Sequence, residues 1–258
     1  MYDMLEMERS QQYIPTRRFA VADQLRNPRR AFFRHGWAFL ALPLAGCSSA
    51  LVSTPVPREE KTADILPTEY LMYEHGILSR VLLIYEESLR RMGEGRDFPV
   101  DSLASASKIV RNFIEDFHQK LEEEFVFPRF RKERRFVETV NALELQHKAG
   151  RKLTDTITRL AAARDLEVPG NRLELARSVE QFVRLYRPHA AREDTVVFPA
   201  LRGLVTPREF RLMGEEFEKR GEELYGYTGF YRVVDQVAGL ERKFGIFNLA
   251  ELLPEQAS

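Results

Sequence analysis

Five histidines occur in the chain, at positions 35, 75, 118, 147 and 189. Two of them carry a glutamate four residues on, His118 with Glu122 and His189 with Glu193. A step of four turns a helix by about 400°, so each histidine sits above its glutamate on one helical face. Imidazole with carboxylate is the donor set of a centre for iron, manganese or zinc. Both pairs fall among apolar residues. A carboxylate buried there without a partner is strongly unfavourable, so each glutamate demands a cation or a proton.

The elements that must position these residues are helical by hydrophobic period. A first helix near 69–92 shows Leu71, His75, Leu78, Leu82 and Tyr85 on one face. A second, near 101–126 with Asp101 or Ser102 as N-cap, shows Val110, Ile114, His118, Leu121 and Phe125. A third, near 135–163, aligns Val140, His147, Thr154 and Ile157. Pro169-Gly170-Asn171 reads as a turn. The fourth, near 172–197, presents Leu175, Val179, Phe182, Tyr186, His189, Glu193 and Val196. Thr206-Pro207-Arg208-Glu209 combines a capping threonine, proline at the first helical position and a glutamate three after the cap. It starts a fifth helix ending near Leu224, and Phe230 to Phe244 reads as a sixth.

The second and fourth helices repeat one another. His118, Glu122 and Val126-Phe127-Pro128 recur 71 residues on as His189, Glu193 and Val197-Phe198-Pro199, and His75 recurs 72 on as His147. The expected fold is therefore an all-α, up-down four-helix bundle built from a duplicated αα-hairpin, with extra C-terminal helices. A lone histidine on an apolar face is ordinarily a hydrogen-bonded core residue. Here each of four helices brings one, and two bring a glutamate a turn later. Two carboxylates bridging two metals, with two histidines terminating each, is the arrangement this composition favours. Glu144, one turn before His147, is a candidate partner for it or simply an exposed acid. Tyr85 and Tyr186 read as core filler.

The histidine spacing, the repeated His-x-x-x-Glu and the Phe-Pro that follows resemble the hemerythrin, or HHE cation-binding, domain over roughly residues 69–225. The four-histidine, two-glutamate set is similar to that of the di-iron members linked to iron–sulfur repair. What the resemblance implies is an oxo- or hydroxo-bridged pair of iron ions that meets dioxygen, nitric oxide or peroxide. Manganese or zinc fits that role less well. Its ligands would be His75, His118, Glu122, His147, His189 and Glu193. Oxygen-carrying hemerythrins have a further histidine one turn from that of the third helix. Here Leu143 and Arg151 stand one turn before and after His147, so reversible oxygen carriage is not expected.

The first residues read as an address. Arg29 and Arg30 precede a short apolar run, Trp37 to Ala45, which ends in Leu44-Ala45-Gly46-Cys47. A basic region, about ten apolar residues and small residues at a cut site are the parts of a secretory signal, and the run is too short to span a bilayer. Pro28 to Arg34 resembles a twin-arginine export signal, and Leu44 to Cys47 resembles a lipobox whose cysteine is lipidated. With one cysteine in the chain, no intrachain disulfide is possible. The expected organisation is an export signal over 1–46, a lipidated, proline-interrupted tether over 47–68, the metal-binding bundle over 69–225, and a C-terminal helix and tail over 226–258.

The chain has 258 residues and a formal charge of zero, which gives no reason to expect a nucleic-acid partner. The expected protein is exported and membrane-anchored through its lipid, facing the periplasm or cell exterior, and it binds or reduces a small diatomic or peroxide ligand. An oxygen or nitric oxide sensor, or an iron-holding module without catalysis, is the alternative. A structural bundle with zinc or nothing in its core is a third.

Overall fold

A computed structural model describes residues 66–161, 166 and 168–253. Arg29, Arg30 and Cys47 lie outside the described residues, as do the expected signal and most of the tether. Among the described residues there are six helices and no strand. They are α1 (Pro67–Gly93), α2 (100–132), α3 (Val137–Leu160), α4 (169–201), α5 (Pro207–Tyr225) and α6 (Gly229–Phe244). The first four form the bundle, α1 packing on α2 and α4, and α3 on α2 and α4. Helices α5 and α6 lie against α1 and each other, and α6 also meets α2. None of the described helices is long and apolar enough to cross a membrane.

The faces that join are those the period marks. Leu71, Leu78, Leu82 and Tyr85 of α1 are buried with Val110 and Ile114 of α2, Val140 and Ile157 of α3, and Leu175, Val179 and Phe182 of α4. Val233, Val237, Leu240 and Phe244 of α6 close the outside of the bundle. Thr206 caps α5 as its sequence suggests: its hydroxyl accepts from the Glu209 N–H at 3.2 Å, and the Glu209 carboxylate accepts from the Thr206 N–H at 2.8 Å.

Several boundaries differ from the sequence reading. Pro169-Gly170-Asn171 is not a turn but the first turn of α4, because proline at the first helical position forfeits only an N–H that has no helical acceptor. Helix α2 opens at Val100 after Pro99, without a side-chain cap from Asp101 or Ser102. It also continues through Phe127-Pro128 to Lys132 instead of ending near 126.

That continuation has a visible mechanism. Proline has no N–H to donate, and its ring presses on the carbonyl four residues back. In both repeats the helix widens ahead of the proline into a π turn, Glu122–Val126 in α2 and Glu193–Val197 in α4. The Phe127 N–H bonds to the Glu122 carbonyl and the Phe198 N–H to that of Glu193, five residues back instead of four. The extra residue rotates the inward face on by one. Val126 and Val197 are buried where the period favoured Phe125 and Val196, which are only half-buried.

Candidate metal centre

The bundle brings His75 from α1, His118 and Glu122 from α2, His147 from α3, and His189 and Glu193 from α4 into one buried cluster. The imidazoles are paired. His75 Nε2 is 3.1 Å from His118 Nε2, and His147 Nε2 is 3.1 Å from His189 Nε2. Glu122 lies between the pairs, with Oε1 3.5 Å from His118 Nε2 and Oε2 3.4 Å from His147 Nε2. Glu193 faces both from the other side, its Oε2 3.4 Å from His75 Nε2 and 3.1 Å from His189 Nε2. Two subsets have donor atoms all within 4.8 Å of one another: Glu122, His147, His189 and Glu193, and His75, His118 and Glu122.

The cluster asks for cations. All four carboxylate oxygens of Glu122 and Glu193 are buried without a hydrogen-bond donor, an arrangement that costs free energy unless something positive sits among them. Each imidazole turns its other nitrogen outward to an acceptor. His75 Nδ1 is 2.8 Å from Asp194 Oδ1, and His118 Nδ1 is 2.8 Å from Glu74 Oε2. His147 Nδ1 is 3.0 Å from Glu123 Oε1, and His189 Nδ1 is 2.9 Å from Gln146 Oε1. Such a bond keeps the proton on Nδ1 and leaves the Nε2 lone pair for a metal. All four histidines thus present Nε2 to one centre.

The hemerythrin HHE cation-binding domain model matches residues 66–201 and, overlapping that, residues 138–228. The chain belongs to this family. It is also 40% identical over 223 residues, 83% of this chain and 85% of the relative, to two proteins of Mycobacterium tuberculosis (strains H37Rv and CDC 1551) and one of Mycobacterium bovis. All three are named only as uncharacterized proteins. No solved structure matches the chain.

The repeated Phe-Pro has a task at this hemerythrin-like centre. Phe127 stacks on His147, ring centroids 5.6 Å apart, and Phe198 stacks on His75 at 5.5 Å. Each phenylalanine therefore walls an imidazole of a neighbouring helix. Tyr186 is more than filler: its ring lies 5.3 Å from that of His189 and its hydroxyl accepts from Gln119 Nε2 at 2.8 Å. Gly150 of α3 makes room for it, since a Cβ there would overlap the Tyr186 hydroxyl. Leu143 is buried, while Arg151 reaches outward to Glu123, Nη2 to Oε1 at 2.7 Å. Glu144 pairs with Arg131 and Lys148, not with His147.

Sequence reasoning missed the outer ring of Glu74, Glu123, Gln146 and Asp194. A signal was there: each directly adjoins an inner residue, and the set repeats with the helices, Glu74 matching Gln146 and Glu123 matching Asp194. Taken singly they look like residues beside an apolar stripe. Their length lets them reach a histidine on the next helix, which only the packing reveals.

Protonation of the metal-free chain follows from crowding. Burial and then the charge of Glu193 push Glu122 up to about 8. Burial also opposes the charge on Glu193, but the neighbouring His189 and His75 hold it well below the usual carboxylate range. Burial works against a charged His75, yet Asp194, bonded to its Nδ1, and the nearby Glu193 carboxylate carry it up to about 10. His75 and Glu122 thus hold their protons more strongly than free side chains do, and a metal ion must displace them. Both pKa values are raised, so the competing protons are lost as pH rises through 8 and then 10. Affinity for cobalt(II) should therefore climb steadily from pH 6 to pH 8, with protons released to the buffer on binding. Competition titrations against a chelator at several pH values test this; an affinity independent of pH would contradict the assigned protonation.

Proposed function

We propose that His75, His118, His147, His189, Glu122 and Glu193 hold two iron ions, and that the chain binds or reduces a small oxidant such as dioxygen, nitric oxide or peroxide. The observation that carries this reading is the pairing of imidazoles, two Nε2 atoms at 3.1 Å on each side with two donor-free carboxylates between them. A single ion would leave one imidazole pair unused. Imidazole and carboxylate together suit iron, with manganese and zinc as weaker fits.

A bound pair of irons would supply electrons one at a time to a small oxidant. The protein's own part is to place and insulate it. Glu122 offers one oxygen toward each histidine pair, and Glu193 faces both, so the two positions are held at a fixed separation. Phe127, Phe198 and Tyr186 line the imidazoles with aromatic surface and keep bulk water from them. Neither neighbour of His147 adds a donor, Leu143 being apolar and Arg151 engaged with Glu123. With six protein side chains shared between two ions, each ion would keep a coordination position for an incoming molecule, which favours reaction over reversible carriage.

Export belongs to the same proposal. Arg29 and Arg30 before the short apolar run, and Cys47 at its end, support passage across a membrane and lipidation at Cys47, which would hold the bundle near a membrane surface. A twin-arginine route carries folded protein, so iron would be loaded where the cell controls which metal is offered. Copper and zinc then lose the advantage of their intrinsic affinity.

Glu122→Ala and Glu193→Ala should each lose most bound iron, because each carboxylate serves both positions. Metal analysis of anaerobically purified protein should find two irons per wild-type chain and well under two in either variant. Two irons retained in a variant would refute the bridging role. Cys47→Ala should leave the membrane fraction for the soluble one; unchanged fractionation would mean that something other than Cys47 anchors the chain.

A further inference from the structure

The two halves of the site share the same inner residues but not the same surroundings. Glu74, the acceptor for His118, is buried, has no lysine or arginine within ion-pair distance among the described residues, and leaves its Oε1 without a donor. Asp194, the acceptor for His75, likewise faces no lysine or arginine at that distance among the described residues. In the other half, His189 bonds to Gln146, a neutral amide. His147 bonds to Glu123, but Glu123 also holds Arg151 Nη2 at 2.7 Å and Lys120 Nζ at 2.9 Å. One half is backed by two uncompensated carboxylates, the other by an amide and a carboxylate that already serves two cations.

The difference has a direct chemical effect. A carboxylate accepting the Nδ1–H of an imidazole pushes electron density toward Nε2 and makes it a stronger donor. An amide oxygen does so less, and a guanidinium on the acceptor draws that density away. The charge of the buried Glu74 and of the partly exposed Asp194 also adds attraction for a cation at the His75/His118 position, with screening weakest at Glu74. Pairwise, the duplicated hairpins have kept the inner residues identical and changed the outer ones: Glu74 is matched by Gln146, and Asp194 by an arginine-bound Glu123.

We infer that the two metal positions are unequal, with Glu74 and Asp194 making His75/His118 the tighter one, filled first and preferring the more highly charged ion. Gln146, together with Arg151 acting through Glu123, makes His147/His189 the looser one. Glu74, Asp194, Gln146 and Glu123 are positioning residues that act through the histidines, and Arg151 acts through Glu123. The inference rests on the two-metal reading above.

Titration of the metal-free full chain with cobalt(II), followed by the paramagnetically shifted imidazole N–H protons in NMR spectra, tests it without any turnover. The first equivalent should shift the N–H signals of His75 and His118, and the second those of His147 and His189. Glu74→Gln, equal in size, should weaken the first step by about 10–100-fold and spare the second. Gln146→Glu should tighten the second step by a similar factor. A gain of that kind cannot come from damaged packing, so the pair separates tuning from structure. Two equal steps, a Glu74→Gln loss shared by both steps, or weaker binding in Gln146→Glu would each overturn the inference while leaving two metals in place. A wild-type chain that takes up only one cobalt would overturn the two-metal reading and the inference with it.

Discussion

Four carboxylate oxygens and four imidazole nitrogens face one another in the dry centre of the bundle, and without positive charge among them the arrangement opposes folding. In the metal-free chain this crowding raises the proton affinity of Glu122 and His75. Protons there would relieve part of the repulsion, while the oxygens of both glutamates still lack a hydrogen-bond partner. Divalent ions at the two histidine pairs would satisfy every inner lone pair at once. Metal binding and bundle stability are then two views of the same free energy.

The rest of the fold serves that constraint by repetition. One αα-hairpin, used twice, supplies two histidines and one glutamate from each helix pair. The Phe-Pro after each glutamate widens the helix into a π turn, which keeps the chain helical past the site and turns the next valine inward. It also sets Phe127 and Phe198 as walls on the imidazoles of neighbouring helices. Helices α5 and α6 contribute no inner residue; they cover α1 and α2 and thicken the apolar layer around the centre.

Much of this was legible in the sequence, because it is written in spacing. The period of apolar residues locates the four bundle helices, and the placement of His75, His118, His147 and His189 within that period puts them inside. The helix ends were less legible. Pro128 looks like a stop, and nothing local shows that a π turn will absorb it. Pro169 looks like part of a turn, though its fixed φ suits a helix start equally well. Least legible was the outer ring. Glu74 and Gln146 each adjoin a histidine but serve one on another helix, and that pairing depends on how two helices lie together. Glu144, which spacing left as either an exposed acid or a partner of His147, pairs with Arg131 and Lys148.

The central claim is a pair of irons held between two histidine pairs. Its most direct test is the visible and near-ultraviolet absorption of anaerobically purified chain before and after admission of air, read beside its iron content. Two irons per chain, little colour when reduced, and charge-transfer bands of bridged ferric ions on exposure to air are the predicted result. A colourless protein carrying zinc, or one iron with no bridged bands, would contradict it.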